Sequence, residues 1–299
     1  MPVLESPEST LVGTTDLAAT TAFLRHFDFE ETAAVQVPEA AARCLYGLDA
    51  ATHGVRLAVP GASSGRLHVV VTPEAGSHHG PTDQGAHAID LYTRDIEKSL
   101  RIAEGAGARV STISSYKVGP LTLSEAKAEG PDHLEVVFLQ VDRRRSSRLD
   151  TMESALSSEV HSFVWIVGRM EESLPFWRDE AGLTTYLDVT MREPSIAEFM
   201  GLPRPDAPLR LAMMADAGGK PARFELIEFP EDPGAAAASW PLRGGLFAPV
   251  FAVANLEEAV RGLPSAQFGE IAELVEGGSR VLAVTGIAPG GVRFEVRQA

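Results

Sequence analysis

Four short segments of the sequence resemble one another, and each carries a residue suited to metal binding or proton transfer at its third position. They are RLHVVV at 66–71, HLEVVF at 133–138, RFELIE at 223–228 and RFEVRQ at 293–298, with His68, Glu135, Glu225 and Glu295 at the third position. Imidazole and carboxylate groups both bind first-row divalent metals and both exchange protons. The first segment differs from the other three because it offers an imidazole in place of a carboxylate.

Each of these segments closes a repeated unit. Before it lies a strand-like apolar run that ends in a polar turn and is followed by apolar residues at helical spacing. Two or three further strand-like runs, separated by Gly- and Pro-rich turns, come between that helix and the closing segment. This order predicts four βαβββ modules, at about 8–73, 86–141, 159–230 and 245–299.

The starts of the four helices are marked by possible capping residues. Asp16, Asp95 and Asn255 stand where a side-chain oxygen can accept a hydrogen bond from the first turn of the helix. Arg169, at the corresponding place in the third module, cannot do so.

The widest break in the pattern is the basic, Ser-rich stretch 142–158, of which DRRRSSR is interpreted as a solvated linker. A domain boundary is therefore predicted here. The N-terminal domain would be 1–145 and the C-terminal domain 146–299, with two modules in each.

Composition narrows the class of protein. The chain has 299 residues, 44% of them hydrophobic, and its net charge of −15 argues against binding to nucleic acid. The N-terminus lacks the basic-then-apolar order of a signal peptide, and no run approaches the roughly 20 apolar residues that span a membrane. We therefore expect a cytoplasmic protein that contacts neither nucleic acid nor membrane. Cys44 is the single cysteine, which excludes an intramolecular disulfide.

The fourfold βαβββ pattern resembles the vicinal oxygen chelate superfamily, which includes glyoxalase I, the bleomycin and fosfomycin resistance proteins, methylmalonyl-CoA epimerase and the extradiol dioxygenases. The resemblance covers nearly the whole chain and implies an α+β fold whose tandem modules pair into two cupped mixed sheets. It also implies a divalent metal in a cup, bound by residues of the first and last strands of each module. Four modules can build both cups within one chain, so a monomer is feasible and a homodimer stays open.

The resemblance is most specific in the second module, where GAHAIDLYTRDIEKSLRIAEGAG followed by GPDHLEVVFLQVD is similar to the second half of a glyoxalase I. It implies His87 and Glu135 as first-strand and last-strand ligands, with His68 as the last-strand ligand of module one. Ser9, or alternatively Glu8, stands where the family has His or Gln. The N-terminal cup would then bind Fe, Mn, Zn or Ni through His68, His87 and Glu135, leaving positions open for substrate oxygens.

The C-terminal cup offers a less complete alternative set of His161, Glu225 and Glu295. His161 lies one residue further from its helix than the family spacing, so Ser162 is an alternative inward residue. The fourth module has FAP at 247–249 in place of its first ligand, which counts against extradiol ring cleavage. The two glutamates are otherwise remnants of duplication, paired with Arg223, Arg293 or solvent.

The function implied by the resemblance is that of a metal-dependent enzyme acting on a small oxygenated organic molecule. A lyase or isomerase of the glyoxalase type is favoured, with Glu135 taking the proton; an oxygenase stays open, and a ring-cleaving dioxygenase is less favoured. The alternative is a metal-free binding or resistance protein of the same fold. Two further polar clusters, SHHG at 77–80 and Asp132 with His133, are interpreted as a loop and a turn.

Overall fold

The computed structural model describes residues 2–118, 121–218, 222–236 and 240–298, and it contains the four predicted modules. Module one comprises β1 (Ser9–Thr14), α1 (Leu17–Arg25), β2 (Glu30–Val37), α2 (Glu39–Ala41) with a π-helical turn (Ala42–Tyr46), β3 (Thr52–Ala58) and β4 (Arg66–Val71). Module two comprises β5 (Gly85–Thr93), α3 (Ile96–Gly105), β6 (Arg109–Val110), β7 (Ser114–Val118), β8 (Leu121–Glu129) and β9 (Glu135–Val141). Module three comprises β10 (Ser157–Val167), α4 (Met170–Pro175) with a π-helical turn (Phe176–Glu180), β11 (Thr184–Met191), α5 (Pro194–Met200), β12 (Leu209–Ala215) and β13 (Arg223–Glu228). Module four comprises β14 (Gly245–Val253), α6 (Leu256–Gly262), β15 (Gln267–Phe268), β16 (Ala272–Glu276), β17 (Ser279–Ile287) and β18 (Arg293–Gln298).

The helices begin where the sequence predicts. The side chains of Asp16, Asp95 and Asn255 each accept a hydrogen bond from the backbone N–H three residues further on. Arg169 precedes α4 without a side-chain cap, as predicted. Within the described residues, no helix has the length and apolar character needed to cross a membrane.

Two mixed sheets confirm the predicted α+β class. Sheet I has the strand order β15-β17-β16-β2-β3-β4-β1-β14-β18 and combines modules one and four. Sheet II has the order β11-β12-β13-β10-β5-β9-β8-β6, with β7 beside β8, and combines modules two and three. The concave faces of these sheets are called cup I and cup II below.

The predicted pairing of module one with two, and of module three with four, is wrong. The first strand of module one, β1, pairs antiparallel with β14 of module four, and β5 pairs with β10. Each sheet therefore takes one module from each of the predicted halves 1–145 and 146–299. Residues in modules one and two consequently line different cups.

The connection 142–158 is mostly exposed over 142–146, as the linker interpretation has it, but it is buried and anchored from 147 to 149, which corrects that interpretation for its end. Arg148 is buried, and its guanidinium donates to the backbone carbonyl of Ser157 at 2.8 Å and to the carboxylate of Asp28 at 2.6 Å. Its backbone N–H donates to Glu159 at 3.0 Å. These contacts fix the path by which the chain enters β10, next to β5.

The two cups differ in closure. In sheet I the strands β17 and β18 also pair with each other, which closes the sheet on itself. In the described part of sheet II the end strands do not pair, and α5 packs against β7 across the opening. Cup II therefore keeps an open concave face beneath a helix.

Candidate functional site

Cup I is largely filled by its own chain. The segment 39–46 enters the cup and contributes Leu45 and Tyr46, both fully buried, to an apolar cluster with residues of β1, β14 and β16. The hydroxyl of Thr285 donates to the carbonyl of Leu45 at 2.9 Å, and the ring of Tyr46 packs edge-on against Phe247. A cavity of about 430 Å³ remains, and charged residues line much of it.

His68 lies in this remaining cavity, where both of its ring nitrogens already have partners. Its Nδ1 lies 3.0 Å from the hydroxyl of Ser9, and its Nε2 lies 3.0 Å from the carboxylate of Glu276. Glu276 in turn accepts from Arg56 at 2.5 Å and from Arg297 at 3.0 Å. This closed network leaves His68 without a lone pair for a metal.

The buried His68 predicts a loss of stability in acid. Burial, together with the charge of Arg297, lowers the pKa of folded His68 from 6.5 to about 4. Protons then bind the unfolded chain more readily, so stability present above pH 6.5 is lost as the pH falls towards 4. Between pH 6.5 and 4, the free energy of unfolding of the wild type, measured with urea, should fall by about 3 kcal/mol through this effect. His68→Gln should lack this fall. His53→Gln, at an exposed position, should retain the fall; an equal fall in His68→Gln would contradict the assignment.

Glu295 also lies in cup I, fully buried on β18. One of its oxygens accepts a hydrogen bond from Nε of Arg297, and the other is buried without a partner. The pairing to Arg297 favours the interpretation of Glu295 as a remnant of duplication, although the partner is not the predicted Arg293. The alternative set of His161, Glu225 and Glu295 is not brought together, because His161 and Glu225 belong to sheet II.

Modules one, three and four share one register between their first and last strands. In each of these modules, the last-strand His or Glu is paired with a residue of the parallel first strand. The residue two positions before that partner is also seven positions before the helix cap. This relation gives the pairs Ser9 with His68, Ser162 with Glu225 and Ala248 with Glu295. Ser9 and Ser162 are hydrogen-bonded to His68 and Glu225, at 3.0 and 3.1 Å. The paired positions therefore face each other inside a cup, and Ser162 holds the inward position in module three. These facing positions on the first and last strands of each module are called the ligand corners below.

Module two departs from the prediction at both of its ligand positions. The same register selects Ala88, seven residues before Asp95, and Val137, the parallel partner of Asp90. His87 lies one residue before the first position, and Glu135 lies two residues before the second. Although both line cup II, neither occupies a ligand corner of the fold.

The residues at the corners do not fit a divalent metal in either cup. Cup I offers Ser9, His68, Ala248 and Glu295, and cup II offers Ala88, Val137, Ser162 and Glu225. In cup I, His68 is already hydrogen-bonded to Glu276, and Glu295 to Arg297. In cup II, the carboxylate of Glu225 is the one metal-binding group at these four positions. The predicted set of His68, His87 and Glu135 is not brought together, because His68 belongs to sheet I and the other two to sheet II.

Cup II encloses a cavity of about 520 Å³ beneath α5. Most of its wall is apolar or aromatic and includes Leu123, Val137, Leu139, Val164, Met191, Phe199, Leu209, Leu211, Met213 and the rings of Tyr92, Tyr116 and Tyr186. A cavity of this size and composition suits a small organic ligand.

Four carboxyl groups face this cavity, from Asp90, Glu125, Glu135 and Glu225. Burial raises the pKa of Asp90 well above its usual value, and the neighbouring charge of Glu225 raises it further. Burial also raises the pKa of Glu125 to about 7, although the hydroxyl of Tyr116 donates to its carboxylate and opposes the shift. Glu125 therefore changes protonation near neutral pH.

Four cationic side chains line the same cavity, from Lys127, Arg143, Arg145 and Arg223. The ammonium group of Lys127 lies 3.5 Å from the carboxylate of Glu135 and 4.8 Å from the ring centroid of Phe199. Burial raises the pKa of Glu135, and the positive charge of Lys127 partly offsets this rise. Burial and the same charge lower the pKa of His87 to about 3, so His87 faces the cavity as a neutral imidazole.

Among these cations, Arg223 is fixed by hydrogen bonds from several sides. Its guanidinium donates to the hydroxyls of Tyr92 and Tyr186, both at 3.0 Å, and to Nδ1 of His161 at 2.6 Å. The ring of His161 stacks on the ring of Tyr92, with centroids 3.8 Å apart. Burial lowers the pKa of His161 well below 6.5. His161 therefore acts as a neutral hydrogen-bond acceptor that positions Arg223 rather than as a metal ligand.

Three residues at the rim of cup II form a cluster that the sequence interpretation missed. His78, Glu129 and His133 place one ligand atom each within 4.8 Å of one another. Glu129 and His133 flank the β8–β9 turn, whereas His78 comes from the loop after β4, about fifty residues away. Only the tertiary fold brings this histidine to the other two, so sequence spacing gives no signal for it.

Comparisons with solved structures place this fold in a known class. The chain is similar to glyoxalase I from Zea mays, with a TM-score of 0.66 and 13% identity over 98% of this chain and 92% of that chain. It is also similar to a putative dioxygenase from Bacillus subtilis, with a TM-score of 0.64 and 9% identity over 99% of this chain and 85% of that chain. No family model matches the sequence, and no curated protein matches it. The chain thus has the fold of the vicinal oxygen chelate superfamily, which confirms the predicted resemblance at the level of the fold.

Proposed function

We propose that cup II binds a small, largely apolar carbonyl compound and catalyses proton transfer at the carbon next to the carbonyl, as an isomerase or lyase does. The observation that carries the proposal is a cavity of about 520 Å³ in which Glu125, with a pKa of about 7, faces an apolar and aromatic wall. A carboxylate with a pKa near the working pH is well matched to general base catalysis.

The side chains of cup II have separate parts in this proposal. Ionised Glu125 removes the proton from the substrate carbon, and its carboxyl group, after O–H exchange with solvent, returns a proton to the same or a neighbouring carbon. The ammonium group of Lys127, two residues away on the same face of β8, supplies positive charge to the enolate oxygen. Tyr116 holds the carboxylate of Glu125 through its hydroxyl.

Glu135 takes a positioning part instead of the catalytic part that the resemblance implied. Its carboxylate lies 3.5 Å from Lys127 and orients the ammonium group. No step in the proposal passes through a metal in either cup, because the ligand corners hold alanine, valine and serine or already paired residues. Both cups are built from one chain, so a monomer suffices.

A metal-free binding protein is the second candidate, and a specific observation favours it. The aromatic rings of Tyr92, Tyr116, Tyr186 and Phe199 line the same cavity and can hold an apolar ligand by packing alone. In that case the buried acids serve recognition, and the bound ligand leaves unchanged.

One experiment separates the two candidates. Chelator-treated protein is incubated with phenylacetone in D₂O, binding is followed by thermal shift, and deuterium incorporation next to the carbonyl is followed by NMR. Binding with exchange faster than in buffer supports the enzyme, and binding without exchange supports the binding protein. Neither binding nor exchange across a panel of aryl ketones and dicarbonyls would contradict the proposal.

A further inference from the structure

The rim of cup II carries a set of side chains with the chemistry of a metal site. The imidazole of His133 shares a hydrogen bond with Glu129 through its Nδ1, 2.5 Å from one carboxylate oxygen. Nδ1 of His78 lies 3.9 Å from the other carboxylate oxygen, and the two imidazole rings have centroids 6.0 Å apart. The three ligand atoms are thus close enough to share one ion after small side-chain movements.

We propose that His78, Glu129 and His133 bind a first-row transition metal ion of the Zn²⁺ type. Two imidazoles and one carboxylate are ligands that zinc and its neighbours prefer, whereas calcium and magnesium prefer a full shell of oxygens. Three protein ligands leave a fourth position for water. The site is separate from the ligand corners of the fold and from the proton transfer proposed for cup II.

The position of His133 is fixed by contacts that do not involve the metal. Its neighbour Asp132 accepts hydrogen bonds from the hydroxyl of Thr14 at 2.8 Å and from the backbone N–H of Thr15 at 2.7 Å, both in module one. Asp132 and His133 have φ angles of 53° and 62°, so the backbone of the turn is left-handed, and the imidazole of His133 is held by its hydrogen bond with Glu129. A bound ion would find this ligand already oriented.

Glu129 is the second oriented ligand, and it connects the site to cup II. It pairs with Glu135 in the β8–β9 ladder, and Glu135 lines the cavity. The side chain of His78 is 67% exposed and can approach the ion freely. Metal binding would therefore tie the loop that follows β4 to the β8–β9 hairpin at the mouth of the cavity.

A cation already competes for the same carboxylate. The guanidinium of Arg109 donates to Glu129, while its side chain is 72% exposed. An incoming metal ion must displace this guanidinium from the oxygen that faces His78. Removing Arg109 should therefore strengthen metal binding, an effect that surface histidines acting separately would not produce.

Calorimetric titration of untagged, chelator-treated protein with ZnCl₂ tests the proposal. We expect one ion per chain in the wild type and a loss of affinity of about 100-fold or more in His78→Ala and in His133→Ala, since each removes a direct ligand. Arg109→Ala should bind about tenfold more tightly because the competing charge is gone. His53→Ala, at an exposed position on β3, is the matched control and should bind as the wild type does.

The proposal is overturned if the wild type binds no Zn²⁺, or if both histidine variants keep its affinity. Circular dichroism of each variant shows whether it is still folded, so that loss of metal binding can be distinguished from loss of structure. The proton-transfer test in cup II uses chelator-treated protein, so it does not depend on metal binding at the rim. Either proposal can therefore be contradicted while the other is supported.

Discussion

Replacing Glu125 by Gln should slow deuterium exchange on phenylacetone by about 10²- to 10⁴-fold, the usual contribution of a general base. Glutamine has the same size and can still accept the hydrogen bond from Tyr116, but it cannot take a proton. Binding of the ketone, followed by thermal shift, should change little because the wall of the cavity is intact. Exchange at the wild-type rate in this variant would remove Glu125 from the proposal.

The pH dependence of the same reaction gives an independent check. Glu125 acts as a base only when ionised, so the rate should rise with pH and level off above the pKa of about 7. Tyr116→Phe removes the hydrogen bond that lowers this pKa. The midpoint of the profile should therefore move to higher pH in Tyr116→Phe, whereas loss of structure alone would reduce the rate without moving the midpoint.

A phenyl ring placed at Ala88 should abolish ligand binding, with an expected loss of affinity of about 100-fold or more. Ala88 is buried but lines the cup II cavity, so the new ring can enter space that the ligand would occupy. Because that space is open, the free energy of unfolding should change by less than about 1 kcal/mol. Thermal shift with phenylacetone and urea unfolding measure the two effects separately.

Ala248→Phe is the matched control, because Ala248 holds the equivalent position in cup I. Here the apolar cluster around Tyr46 and Phe247 already fills the face, so the ring should cost about 1–3 kcal/mol of stability. Ligand binding should stay at the wild-type level. Loss of binding in Ala248→Phe but not in Ala88→Phe would place the ligand in cup I instead.

The repeated βαβββ pattern and the capping residues Asp16, Asp95 and Asn255 predicted the modules and the fold class, because both depend on local sequence. The pairing of modules depends on contacts between distant strands, such as β1 with β14. Nothing in the local pattern of module one distinguishes module two from module four as its partner. The predicted metal set failed for this reason, since it combined His68 with residues of the other sheet.

The register between the first and last strands of module two is the second feature that the spacing of residues in the sequence did not determine. His87 and Glu135 look like a ligand pair in the sequence, but the strand pairing selects Ala88 and Val137. The sequence did not single out Glu125, because its raised pKa depends on burial and its hydrogen bond comes from Tyr116 on the neighbouring strand of a hairpin. The proton transfer proposed for cup II therefore uses module two, as the prediction did, but rests on Glu125 and Lys127 instead of His87 and Glu135.

The most direct test of the central claim is the rate of deuterium exchange on phenylacetone by chelator-treated protein, measured for the wild type beside Glu125→Gln. We expect catalysed exchange in the wild type without added metal and exchange close to the buffer rate in the variant. Exchange that appears only after Fe, Mn, Zn or Ni is restored, or that the variant retains in full, would contradict proton transfer by Glu125 in cup II.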